Sequence, residues 1–147
     1  MSFRVANPPG RLEPSSLNAR RGAVSAGQAG VLDTGAIEQF RRLDAGGQRG
    51  LLARVCRLYD EDAARLLEII SAGVTAGNPV TITAAAHALK SASANLGATL
   101  VSALAAELEV ETRNGTLSRA NELLAKLRNA HVAASFAIAE VVSPEPA

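Results

Sequence analysis

One histidine lies in a run of small residues, in a setting where its ring could act as a nucleophile. The segment 83–98 has the sequence TAAAHALKSASANLGA, with His87 as its fifth residue and no helix breaker before Gly97. On a helix that turns by about 100° per residue, Leu89 and Leu96 fall on the side opposite His87. A histidine buried in the core would have to share the Leu89 side. His87 is therefore predicted to be exposed, as either an incidental surface histidine or a functional one.

The surroundings of His87 suit phosphoryl transfer. A neutral imidazole is a good nucleophile near neutral pH, and phosphoryl transfer needs mainly in-line approach and stabilisation of charge. Lys90, three residues after His87, could offer its ammonium group to phosphoryl oxygens as a mobile point charge. That attraction is worth about 0.2–1 kcal/mol on an exposed surface and should grow when a docked partner excludes water. The small residues that share this face are predicted to contact such a partner: Thr83, Ala84, Ser91 and Ala94.

Other catalytic and ligand-binding chemistries lack the residues that they require. No Asp, Glu or Cys shares the His87 face at three- or four-residue spacing, so neither a metal site nor a zinc-protease motif is predicted. The chain has no Walker or Rossmann glycine loop and thus no evident means of binding a nucleotide and phosphorylating itself. We predict a carrier without kinase activity or an intrinsic cofactor. His131 and the single cysteine, Cys56, are interpreted as structural residues.

Apolar periodicity predicts a short helix and a long helix ahead of the histidine segment. The first begins at a cap on Asp33 or Thr34 and ends at Gly46. The second runs roughly from Gln48 to Ala72 and carries an apolar stripe along one face. The residues that mark the next turn are Gly73, Gly77, Asn78 and Pro79, the last of which suits the first turn of a new helix.

Two more helices are predicted after the one that carries the histidine. Gly97 stands where a C-terminal glycine cap is expected. The fourth helix follows at once and ends at the turn 114–115, and a cap on Thr116 or Ser118 begins the last helix. Long amphipathic helices joined by short turns predict an all-α fold. We expect an antiparallel up-and-down four-helix bundle with an additional short N-terminal helix.

Composition divides the chain into one domain and two tails. Proline and glycine without apolar periodicity mark residues 1–30 as a flexible tail or linker, followed by the bundle at 31–142 and a short tail at 143–147. A formal net charge of +1, from 15 basic and 14 acidic residues, argues against nucleic acid as a partner. Neither a membrane-spanning apolar run nor a secretory signal is visible, which predicts a cytoplasmic protein.

The segment around His87 resembles the signature of histidine-containing phosphotransfer (HPt) domains. Residues 86–98, AHALKSASANLGA, are similar to the family's His-x-Leu-Lys-Gly-x-Ser core followed by Leu-Gly-Ala. Ser91 stands where the family has glycine, and because serine is also small, docking of a partner should survive this difference.

The resemblance extends outward from the signature. The segment Leu58–Asp62 resembles the family's aromatic–acidic segment, with Tyr59 where phenylalanine is usual. Leu104 together with Leu108–Glu109 resembles the helix that follows the signature. Residues 31–141, nearly all of the periodic chain, are covered by this similarity.

The resemblance implies a role in a two-component phosphorelay. In this family the histidine receives a phosphoryl group from an aspartate of a receiver domain and passes it to another receiver. His87 matches that histidine, Lys90 matches the basic residue beside it, and the magnesium ion belongs to the partner. The implied partners are response-regulator receiver domains and a cognate sensor histidine kinase. We expect a monomer, acting alone or as the terminal module of a hybrid sensor kinase that could tether it to a membrane.

Two other functions remain open at this point. A helical adaptor could use the same His87 face to bind a target without carrying phosphate. An independent enzyme is the weakest alternative, because no substrate pocket or acid–base pair is visible in the sequence. Only the presence of His87 and Lys90 together separates the carrier from the adaptor.

Overall fold

All regular structure in the described residues is helical. The computed structural model describes residues 30–43 and 50–142. Its helices are α1 (Thr34–Leu43), α2 (Gly50–Ala76), α3 (Pro79–Leu96), α4 (Thr99–Arg113) and α5 (Ala120–Val142). Helix α2 packs against α3, α3 against α4 and α4 against α5, and α5 packs back against α2. Helix α1 lies against α2 and α3. The predicted four-helix bundle with an additional N-terminal helix is confirmed.

Some sequence predictions fall outside this part of the chain. The predicted tails at 1–30 and 143–147 lie outside the described residues except for Gly30, and so does Gly46, which was predicted to end the first helix. The cap predicted at Asp33 is present, because its Oδ1 accepts the backbone amide of Gly35 at 3.0 Å. Among the helices that the structure describes, none has both the length and the apolar composition needed to cross a membrane.

The core is built from aliphatic side chains that recur at helical spacing. Burial of one such side chain is worth about 1.5–3 kcal/mol, so the stripes on the helices are the main stabilising feature. Cys56 is buried among them as predicted, and its burial raises the pKa of the thiol. Tyr59 and Ser93 are also buried, and their hydroxyl oxygens lie 2.8 Å apart. The largest fully buried side chains are Ile37, Ile70, Ile82, Leu89, Leu108, Leu123 and Leu127.

The turn predicted to begin at Gly73 begins later. Helix α2 continues to Ala76, and Gly73 is buried inside it. A Cβ atom at Gly73 would lie 2.7 Å from Cγ1 of Ile82, so this glycine lets α2 and α3 approach closely. The turn starts at Gly77, which has a φ of 65°. The prediction was wrong because a glycine can mark either a break or a close contact, and local sequence does not distinguish the two.

The start of the last helix also differs from the prediction. Helix α5 begins at Ala120, and the backbone amide of Ala120 donates to the carbonyl of Leu117 at 3.1 Å and not to the predicted cap residues Thr116 or Ser118. Instead the carboxylate of Glu111, on α4, accepts the backbone amide of Arg119 at 2.6 Å and the Ser118 hydroxyl at 3.1 Å. A carboxylate is favoured here because the amides at a helix start carry partial positive charge. A cap supplied by another helix cannot be read from the residues next to α5.

Gly97 has two structural roles at the end of α3. It adopts a φ of 82°, the left-handed conformation of the predicted C-terminal cap. Its carbonyl oxygen also accepts the backbone amide of Asp33 at 2.6 Å. A Cβ atom at Gly97 would lie only 2.2 Å from the carbonyl oxygen of Asp33, so the start of α1 is packed directly on this glycine.

We expect Gly97→Ala to destabilise the bundle more than Gly115→Ala. Gly115 has a similar φ of 84°, but a Cβ atom there would meet nothing within 4 Å. Left-handed backbone alone costs a non-glycine residue about 1–2 kcal/mol. The clash at Gly97 should add about 1–3 kcal/mol to that loss of stability. Free energies of unfolding from urea titration measure both losses, and equal values would contradict the contact between α1 and Gly97.

Candidate functional site

His87 lies on α3 with its side chain pointing away from the core. The side chain is 60% exposed, whereas Leu89 and Leu96 are buried on the other side of the helix. The helix phase deduced from the sequence therefore matches the structure. Exposure leaves the imidazole accessible to a second protein, which is the first requirement for a residue that exchanges a group with a partner.

A carboxylate that was not predicted lies against the imidazole. Glu109, on α4, places Oε2 at 2.9 Å from Nδ1 of His87 and Oε1 at 2.8 Å from Nζ of Lys90. The guanidinium group of Arg113, one turn further along α4, also bonds to Oε2. Only 3% of the Glu109 side chain is exposed. The site is thus a charged cluster of four residues that spans α3 and α4.

The cluster keeps Glu109 ionised. Burial raises the pKa of this carboxyl group, but hydrogen bonds from Lys90 and His87 and the positive charge of Lys90 outweigh burial, so its pKa lies below the ordinary value. A buried carboxylate without partners would be strongly disfavoured. With a neutral imidazole, the two cations and the one carboxylate leave a formal charge of +1 at the site. Such a site can attract a phosphoryl group.

Lys90 and Thr83 differ from the sequence expectation in what they contact. Lys90 was predicted to be a mobile charge, but it is half-buried and paired with Glu109. Thr83, which was predicted to contact a partner, is half-buried; its hydroxyl lies 2.7 Å from Oγ1 of Thr112 and donates to the carbonyl of Pro79. Both side chains lie on the flank of α3 that packs against α4. The periodicity of α3 does not show where α4 packs, so these contacts could not be predicted.

The remaining predicted contact residues lie on the open surface of α3. Ala84, Ser91 and Ala94 are exposed, and each of them has a small side chain. A mostly apolar groove lies towards α2, beyond this surface. Its lining residues are Phe40, Val55, Leu58, Tyr59, Asp62, Ala92, Asn95 and Leu96.

A signal for Glu109 was present in the sequence but was not used. The segment Leu108–Glu109 was noted only as part of the resemblance to HPt domains. Ala105, four residues before Glu109, and Thr112, three residues after it, are both buried. A charged residue on such a stripe of small residues needs a partner, which identifies it as a candidate for a polar site. Its partner could not be named, because His87 is 22 residues away in the chain.

His131 lies apart from this cluster. Its ring packs edge-on against Tyr59 with 6.2 Å between centroids, and Nε2 lies 3.4 Å from Oδ1 of Asp60. The side chain is largely buried, so the interpretation of His131 as a structural residue agrees with its position. Across residues 30–43 and 50–142, no group of three or more His, Cys, Asp or Glu residues is arranged to hold a metal ion.

Comparison with known proteins assigns the family. The family model of the Hpt domain matches residues 54–136, more than half of the chain. The crystal structure of histidine-containing phosphotransfer protein B (HptB) from Pseudomonas aeruginosa PAO1 superposes with a TM-score of 0.70 at 22% sequence identity, covering 80% of this chain and 99% of that one. No curated protein sequence matches significantly. The family match over most of the bundle, together with the shared fold, shows that this chain belongs to the Hpt domain family and has a histidine phosphotransfer role.

Proposed function

We propose that His87 accepts a phosphoryl group from the aspartyl phosphate of a response-regulator receiver domain and transfers it to another receiver domain. The observation that carries this proposal is the contact between Nδ1 of His87 and Glu109 on an otherwise exposed ring. Because Glu109 occupies Nδ1, the nitrogen left to act as the nucleophile is Nε2. In the forward step the lone pair of Nε2 forms the bond to phosphorus, and the aspartate oxygen leaves with the electrons of its bond.

The cations of the cluster are suited to stabilise the transferred group. Lys90 lies on the same helix as His87, and Arg113 bonds to the carboxylate oxygen that His87 contacts. Positive charge favours the phosphoryl oxygens, and its effect grows when a docked receiver excludes water. The magnesium ion that the reaction needs is proposed to reside on the receiver, so this chain would need no cofactor of its own. The chain would act as a carrier and not as a kinase.

The proposed partners follow from this role. One or more receiver domains would dock over Ala84, Ser91 and Ala94, whose small side chains allow close approach to the imidazole. A cognate sensor histidine kinase would supply the phosphoryl group at the start of the relay. We propose a monomeric, cytoplasmic domain that acts alone or as the terminal module of a hybrid sensor kinase.

Transfer from a phosphorylated receiver domain tests the proposal directly. A receiver labelled with a small acyl phosphate and Mg²⁺ is mixed with this chain, and label on the chain is followed with time. We expect label that is labile in acid and stable in base, as a phosphorus–nitrogen bond requires, and peptide mass spectrometry should locate it on His87. A chain that binds the receiver but never takes up label would be an adaptor, and base-labile label would indicate a different acceptor.

A further inference from the structure

One face of α5 exposes apolar side chains on the side of the helix opposite the bundle core. Val132 and Phe136 lie one turn apart and are each 68% exposed, and Ala133 between them is exposed as well. Ala134, which points into the core, is fully buried. Large apolar residues that are grouped on one face, and not scattered singly, typically mark a surface that contacts another protein. We propose that this face binds the same face of a second copy of this chain, with the two α5 helices antiparallel.

The spacing of these residues is that of a seam between two helices. Asn129, Val132 and Phe136, here called the α5 seam, are separated by steps of three and four residues, as the core positions of a coiled coil are. All three are exposed, so the seam is a second stripe on a helix whose first stripe already packs in the bundle. One polar residue in such a stripe, as Asn129 is here, specifies the register and the number of helices. The seam therefore suits one further helix.

The charges beside the α5 seam select the antiparallel direction. Lys126 and Glu140 are 14 residues apart, nearly four full helical turns, so both lie on the same flank of the seam. When Phe136 of one copy packs against Val132 of the other, the pairing is centred on position 134. Lys126 and Glu140 have their midpoint at position 133, so the same register brings each lysine opposite the glutamate of the other copy. A two-fold axis repeats both contacts. In a parallel pair these charges would lie about 21 Å apart along the helix.

Both charged groups are accessible for this contact. Glu140 is exposed, and the Lys126 side chain is 53% exposed. The ammonium group of Lys126 lies 3.1 Å from Oε2 of Glu122 on its own helix, but an ammonium group has three donors and can bond to a second carboxylate. The two copies are thus complementary both in apolar surface and in charge.

The pairing would be weak and would leave His87 accessible. Contact through one helix of each copy is smaller than the standard interface of about 800 Å² per partner, so we expect a dissociation constant of about 0.1–1 mM. At lower concentrations the chain would be the monomer proposed above. Helix α5 packs against α2 and α4, and α3, which carries His87, lies across the bundle from it. This inference does not rest on the proposed function, so either can fail without the other.

Sedimentation equilibrium of the full chain tests the pairing. Between about 10 μM and about 1 mM, we expect the average mass to rise from the 15.1 kDa of one chain towards twice that value. Phe136→Asp should stay at the mass of one chain, because it places a charge at the centre of the seam. Val110→Asp is the matched control, since Val110 is 57% exposed on α4, and this variant should associate like the parent. A parent that stays at the mass of one chain, or a Phe136→Asp chain that associates as the parent does, would overturn the proposal.

Exchange of the two charges tests the antiparallel register and does not depend on whether Phe136→Asp folds. Lys126→Glu and Glu140→Lys should each raise the dissociation constant about fivefold or more, because each variant places like charges opposite one another at two symmetric positions. The double variant, which carries both substitutions, restores the pairs and should return to within about twofold of the parent. It also keeps the formal net charge of +1, so overall repulsion does not account for the recovery. A double variant that associates as weakly as the single ones would rule out the antiparallel pairing.

Discussion

The His87→Gln variant is expected to take up no detectable phosphoryl group from a phosphorylated receiver domain. The glutamine amide nitrogen has no available lone pair, so it cannot replace the imidazole as a nucleophile. The fold should be retained, because the His87 side chain is exposed and Glu109 keeps its contacts with Lys90 and Arg113. Surface substitutions usually change stability by no more than about 0.5 kcal/mol. Label uptake and thermal unfolding of the same preparation measure both expectations.

His131→Gln is the matched control for this experiment. It removes the other histidine of the chain, which packs against Tyr59 and lies apart from the Glu109 cluster. We expect His131→Gln to take up label at the rate of the parent. Label that persists in His87→Gln, or that disappears only in His131→Gln, would show that His87 is not the acceptor.

The Ser91→Gln variant is expected to slow phosphoryl transfer by about a hundredfold or more. Ser91 is exposed and lies four residues after His87, so the two side chains are neighbours on one face of α3. A receiver must bring its aspartate within bonding reach of the imidazole, and its backbone must therefore pass close over Ser91. A longer side chain would hold it away, and misplacement by about 1 Å can lower a rate on the order of a hundredfold. Transfer kinetics from receiver to chain provide the measurement.

Two control variants locate the cause of that loss. Ala125→Gln places the same side chain on an exposed position of α5, away from α3, and should leave transfer unchanged. Ser91→Gly should transfer at least as fast as the parent, although helix propensity predicts a loss of a few tenths to about 1 kcal/mol of stability. Normal transfer by Ser91→Gln would show that the receiver does not dock on this face. Unfolding of Ser91→Gln would show instead that the position supports the bundle.

Periodicity within a single helix was a reliable guide to this protein. The alternation of Leu89 and Leu96 with small residues predicted that His87 faces outward, and the structure agrees. Pro79 and Gly97 predicted both ends of α3 for reasons that are local to the backbone. A glycine was an ambiguous signal at position 73, because Gly73 allows two helices to pack closely and does not form a turn.

The sequence alone determined the helices, the apolar face of each one and the outward direction of His87. These properties depend on residues a few positions apart, and the regular turn of a helix converts their spacing directly into direction. Only the tertiary structure decided that Glu109 lies against His87 and Lys90. It also decided that the Thr83 hydroxyl contacts Thr112 on α4, and that the Glu111 carboxylate accepts a backbone amide at the start of α5. The relative shift and rotation of two packed helices depend on how the side chains of both helices fit together. The spacing of residues within one helix therefore does not specify them.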